Sequence, residues 1–148
     1  MKTIINLVFF AATAALCFNT WAAEKMQEPK VEKWILEVKS KCRDMVDGYQ
    51  FEDDDAFNDW YNNVHIPDIM KAMPEFKSAR RFMNPDFSTL ETGKYLALYE
   101  IETDDINKTM GRLLEAVRKI EKQGRMSPLL QTVSMTVYKE ISSKVQGE

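Results

Sequence analysis

From Val31 to Cys42 the stretch VEKWILEVKSKC alternates with a period of two, placing Trp34, Leu36 and Val38 on one face and Ile35, Glu37 and Lys39 on the other. That period predicts a strand. DMVDGYQFEDDD follows, with Gly48 and an acidic run, and reads as a loop. Its Asp53 or Asp54 is expected to cap a helix, and the other carboxylates favour the positive end of that helix. The period then lengthens: Phe57, Trp60, Tyr61 and Val64 recur at i, i+3, i+4 and i+7, an amphipathic helix. Pro67 disfavours helical geometry at the residue before it, so this helix is expected to break near His65 and Ile66. PDIMKAM should then form a short helix ending at Pro74.

Two more strands are predicted, EFKSARRFM (Glu75 to Met83) and KYLALYEIE (Lys94 to Glu102), separated by a loop with Pro85 and Gly93. Thr103, Asp104 and Asp105 form a second capping cluster, and Ile106, Met110, Leu113, Leu114, Val117 and Ile120 make another helical stripe that closes near Gly124. The β-branched, alternating segment LLQTVSMTVYKEI (Leu129 to Ile141) predicts a last strand. The order β-α-β-β-α-β is the ferredoxin-like arrangement, an α+β fold with a four-stranded antiparallel sheet and two helices on one face. The other face then needs an explanation. KYLALYEI turns Tyr95, Ala97, Tyr99 and Ile101 one way and Leu96 and Leu98 the other, and the first strand adds Ile35 to that second face. Since the first and third strands are central in this topology, an apolar patch is expected to stay uncovered in a monomer, and a second copy packing sheet to sheet is the simplest cover.

The start of the chain changes the setting. MKTIINLVFFAATAALCFNTWAA has a short polar start with Lys2, an uncharged run of 15 residues from Ile4 to Phe18, and small residues near Ala22. It reads as a secretory signal peptide over residues 1–22, because a spanning helix needs roughly 20 apolar residues. A periplasmic or secreted protein without stable membrane insertion is therefore expected. A charged N-terminal segment (23–30), a single domain (31–142) and a short C-terminal tail (143–148) would follow. Losing the leader removes only Lys2, so 20 basic and 23 acidic residues become 19 and 23, a formal charge of −4. With no basic cluster denser than the pair Arg80 and Arg81, nucleic acid is not an expected partner. Cys42 is the one cysteine beyond the leader and reads as a partly buried thiol at a strand end, an intermolecular link being the alternative.

The chain's only histidine, His65, stands four residues after Tyr61 and five after Trp60, at the expected end of the first helix. Free carbonyls there favour imidazolium, while burial beside Trp60 opposes it, so a charge state poised near neutrality is expected. That suits a general acid or base; a cap on the broken helix is the alternative. Trp60 and Tyr61 would line an aromatic pocket or serve as core. Tyr95 and Tyr99 lie on a central strand, where a buried hydroxyl beside a pocket would orient a carbonyl or phenol. Arg80 and Arg81 alternate, so one lies under the helices, to bind an anionic group or to pair with Asp59 or Asp68. Asn62 and Asn63 would donate or accept near His65. One histidine and one mature cysteine fit no common zinc or iron site, DDD at Asp53 to Asp55 lacks a calcium loop's spacing, and no glycine-rich phosphate loop or nucleophile elbow is present. No cofactor is expected.

DDAFNDWYNNVHIPDIMKAMPEFKSARRF, followed by KYLALYEIE, resembles the dimeric α+β barrel superfamily, particularly small EthD-like bacterial proteins, from about Lys33 to Lys139. The resemblance implies a homodimer with a pocket in each subunit between helices and sheet. Superfamily members include isomerases, cyclases, dehydratases, cofactor-free monooxygenases and haem-degrading enzymes, so it speaks to fold more than to activity. It also implies His65 as the catalytic residue at the matching motif position. The expected function is a cofactor-independent isomerase, cyclase or dehydratase acting by proton transfer on a small hydrophobic or aromatic oxygenated compound. His65 and Tyr99 would carry the chemistry, with Trp60, Tyr61, Asn62 and Arg81 binding substrate. The alternative is a non-catalytic ligand-binding or structural homodimer of the same fold. The leader departs from the mainly cytoplasmic members.

Overall fold

The computed structural model describes residues 29–43, 51–86 and 93–142, with side chains from residue 54 onward in the first helix. The expected leader, most of the charged segment after it, the tail and the loop residues 44–50 lie outside the described residues. Strand β1 (Glu32–Cys42) leads to helix α1 (Phe51–Trp60), a π-helical turn (Tyr61–His65) and α2 (Ile66–Ala72). Then come β2 (Phe76–Met83), β3 (Tyr95–Thr103), α3 (Ile106–Lys122) and β4 (Leu130–Lys139). All pairings are antiparallel in the order β2-β3-β1-β4, with β1 and β3 central, an α+β architecture compatible with the ferredoxin-like class. Among the described residues no helix is long and apolar enough to cross a membrane.

The expected break at Pro67 does not occur. α1, the π turn and α2 run on as one rod, with Ile66 in helical geometry and its N–H donating to the Tyr61 carbonyl five residues back. The wider π turn absorbs the crowding that proline imposes on the preceding turn, and α2 begins with Pro67 in its first positions, where a missing N–H costs nothing. The expected acidic cap is also displaced. Because α1 starts at Phe51, Asp54 lies inside it with its side chain buried. In α3 the capping expectation holds: Asp105 accepts from the Lys108 N–H at 3.0 Å. Its end is a Schellman turn, in which Gly124 takes a φ of 70° and the N–H groups of Gly124 and Arg125 donate to the carbonyls of Glu121 and Ile120.

Alternation along the central strands builds the core. Leu36 and Val38 of β1 and Tyr95, Ala97, Tyr99 and Ile101 of β3 are buried under the rod, together with Phe57, Tyr61, Ile69, Met73 and Phe76. Cys42 closes β1 as a buried thiol. On the opposite sheet face the apolar residues are interleaved with charge. Leu96 stands between Lys39 and Phe82, Leu98 between Glu37 and Arg80, and Ile35 between Glu100 and Tyr138. Phe82 and Tyr138 are about half exposed, at 46% and 50%.

Candidate functional site

A cavity of about 140 Å³ lies between the helices and the sheet. Its walls are Leu36 and Val38 of β1, Phe76 and Tyr99, Leu113, Leu114 and Val117 of α3, and Leu130, Thr132 and Met135 of β4. The rod contributes Tyr61, His65 and Ile69. β4 is an edge strand that the helices cover only in part, so Leu114 and Met135 remain 53% and 45% exposed at its mouth. The lining is apolar except for Thr132, the phenols of Tyr61 and Tyr99, and the imidazole of His65. An apolar cavity with a few convergent polar groups is the usual form of a small-molecule site.

His65 ends the π turn and is 8% exposed. Its ring packs edge-on to Tyr61, centroids 4.7 Å apart, and lies 5.0 Å from the Trp60 ring. Nδ1 is buried with no hydrogen-bond partner among the described residues, and the side chain caps no carbonyl. Poise near neutral pH is not what results. Burial drives the pKa down to about 4, opposed by the negative charge of Asp68 and reinforced by the positive charge of Arg81. The helix-terminal carbonyls expected to favour imidazolium are absent because the rod does not end there. Asp68 does not orient His65 either: both its oxygens accept from Arg125, at 2.6 and 2.9 Å, and that bonding lowers its pKa.

Tyr99 and Tyr61 both stand on the cavity wall, and burial raises the pKa of each. Both enter the site as neutral phenols. Trp60 does not line the cavity; its indole N–H donates to the Arg125 carbonyl at 2.9 Å and braces the rod against the turn after α3.

Of the two arginines, Arg81 lies under the rod and Arg80 faces the other way, pairing with Glu100 at 3.4 Å. The expected ion pair of Arg81 with Asp59 or Asp68 does not form. Its guanidinium donates to the amide oxygens of Asn62 and Asn58, each at 2.9 Å, and stacks over the Tyr61 ring, 4.1 Å from the centroid. The space exists because Ala97, opposite Arg81 in the ladder, is small. Asn63 turns away and donates to Asp59 at 2.7 Å.

Beyond Asn58 lies a cluster that the sequence reading missed. Asn58 donates to the Tyr95 hydroxyl at 2.8 Å, Tyr95 donates to Asp54, and Asp54 pairs with buried Lys94 at 2.6 Å. Burial first, and then the bond to Asp54, push Tyr95 up to about 12. The signal was the four-residue spacing of Asp54, Asn58 and Asn62, which sets three polar groups in one stripe of the helix beside the apolar one. Of the sequence-predicted residues, His65, Tyr61 and Tyr99 thus share the cavity, Arg81 and Asn62 back it from behind Tyr61, and Trp60 stands aside.

No family model matches the chain, and no curated protein matches it. Among solved structures it is similar to HapK from Hahella chejuensis, at 13% sequence identity over 78% of this chain and 99% of that one, with a TM-score of 0.49. A likeness at that level transfers no residue of the site.

Proposed function

We propose that the chain is an exported, homodimeric EthD-like protein whose cavity takes up a small hydrophobic, oxygenated compound. The observation that carries the reading is the buried Nδ1 of His65, left without a partner on the wall of an apolar cavity beside two phenols. Buried polar atoms are nearly always bonded, and a ligand oxygen or N–H seated there would satisfy this one. Soaking or as-purified crystals should show density in the cavity within reach of His65 and Tyr99. A cavity that stays empty and binds no member of a panel of small ketones, lactones and phenols would overturn the reading.

Proton transfer on that ligand, as in an isomerase, cyclase or dehydratase, is the second reading. What favours it is that the imidazole is neutral at physiological pH and has no acceptor or donor at Nδ1 among the described residues, so it can take a proton while Tyr99 holds the substrate oxygen. His65→Asn should then leave folding and binding nearly intact while turnover falls about 100-fold or more. Unchanged turnover in the folded variant would leave binding alone as the role.

What supports the homodimer reading is the outer sheet face, where Ile35, Leu96, Leu98, Phe82 and Tyr138 stand without cover from the helices. A stable interface there would bury about 1,200 Å² or more in total. Leu98→Lys would set an ammonium against it, and light scattering should show the variant as a monomer and the parent as a dimer at micromolar concentration.

A further inference from the structure

We propose that the Tyr61 and Tyr99 hydroxyls, backed by the guanidinium of Arg81, form an oxyanion pocket, and that the cavity holds its ligand as a phenolate or enolate rather than as a neutral molecule. The inference rests on the cavity being a ligand site, as read above, and adds the chemical class of the ligand.

The charge balance behind Tyr61 is the reason. Arg81 stacks 4.1 Å from the Tyr61 ring centroid and 5.0 Å from that of Tyr95, and both its hydrogen bonds end on neutral amide oxygens. Its Nε is buried with no partner, and no carboxylate among the described residues bonds it. Each nearby acid on the rod is otherwise engaged. Asp54, which attracts Arg81 at longer range, is bonded to Lys94 and Tyr95; Asp59 accepts from Asn63; Asp68 is held by Arg125. From β3 come only the phenols of Tyr95 and Tyr99 and the paired Lys94, and α3 lines the cavity with Leu113, Leu114 and Val117. His65 adds no charge at neutral pH. The field at the phenol end of the cavity is therefore positive, and a neutral apolar ligand alone would gain nothing from it.

Phenol hydroxyls donate, and hydrogen bonds to an ionised acceptor are roughly twice as strong as those between neutral partners. A ligand phenol or enol thus binds best after its O–H bond breaks, with the electron pair kept on oxygen and the proton passed to bulk solvent. No oxidant or other reactant is required. Arg81 does not line the cavity, so it acts through Tyr61 as a positioning residue.

The test uses the purified chain with 4-nitrophenol, whose phenolate absorbs visible light and whose phenol does not, and with 4-nitroanisole, which has no proton to lose. Titration of bound 4-nitrophenol should show its ionisation displaced by about one pH unit toward acid relative to the free compound, a phenolate bound about 10-fold more tightly than the phenol. Arg81→Gln should abolish that displacement while 4-nitroanisole still binds. Asn62→Asp places a carboxylate on the exposed side of the guanidinium without touching the core, and should abolish it too, which keeps the inference testable where Arg81→Gln does not fold. Binding of both probes with no displacement overturns the oxyanion pocket but spares the cavity as a ligand site. A displacement that persists in Asn62→Asp removes Arg81 from it. Failure to bind either probe overturns the ligand-site reading and the inference together.

Discussion

The rod from Phe51 to Ala72 carries two polar clusters onto the same face of the same sheet, and they are built on opposite terms. Toward its start, Asp54, Lys94, Tyr95 and Asn58 bond to one another in a chain that includes a buried ion pair of 2.6 Å and runs on from Asn58 to Arg81. At its middle, His65 is as deeply set, yet its Nδ1 meets no partner and its ring borders a cavity. A network of bonded side chains holds the β2-β3 hairpin against the helix. An orphaned nitrogen costs stability of the protein alone, and a bound molecule that bonds it recovers that cost. The difference separates structural polarity from the polarity of a site.

Breaking the bonded cluster should have the largest effect. Lys94→Met removes the cation beside a buried carboxylate and should cost about 3–5 kcal/mol in urea unfolding, while Asp54→Asn combined with Lys94→Met should cost less than the single change. Equal costs would show that the two charges are not coupled.

The open cluster answers to pH instead. His65 titrates near 6.5 when unfolded and at about 4 in the folded chain, so between those values the unfolded state binds more protons. Its contribution to stability is fully present above about pH 6.5 and is lost as pH falls toward 4, by up to about 3 kcal/mol. His65→Asn should flatten that part of the stability profile, and a profile that does not change would place the imidazole in a wetter setting than its burial implies.

Matched tyrosines sharpen the contrast on the smallest scale. Tyr95→Phe withdraws a donor from the Asp54 carboxylate and should cost about 1.5–3 kcal/mol, the range for bonds to charged groups. Tyr99→Phe removes a buried hydroxyl that bonds no charged group among the described residues, should cost less, at about 0.5–1.5 kcal/mol, and should instead weaken binding of an oxygenated ligand. A reversed order in denaturation midpoints at unchanged m would exchange the roles of the two clusters.

Strand and helix types were legible because burial is periodic. Leu36 and Val38, Tyr95 to Ile101 at every second residue, and the stripe containing Leu113 and Ile120 all announce which face turns inward, and alternation alone separates Arg80 from Arg81. Those local periods determined the element order and the α+β class, and the singularity of His65 marked a turn of the helix that borders the cavity. Its state was not legible. Whether Pro67 breaks the rod depends on a π turn that the packing of Tyr61 and His65 under the sheet stabilises, and that turn removes the free carbonyls on which an imidazolium would have leaned. The partners of Asp54, Asp68 and Arg81 were equally out of reach, since Lys94, Arg125 and Asn58 lie 40, 57 and 23 residues away along the chain. Local sequence fixes which residues face inward, because that depends on backbone geometry repeated every two or 3.6 residues. Only the tertiary structure decides which of them meet and which nitrogen is left unpaired, because that depends on contacts between segments whose spacing no period encodes.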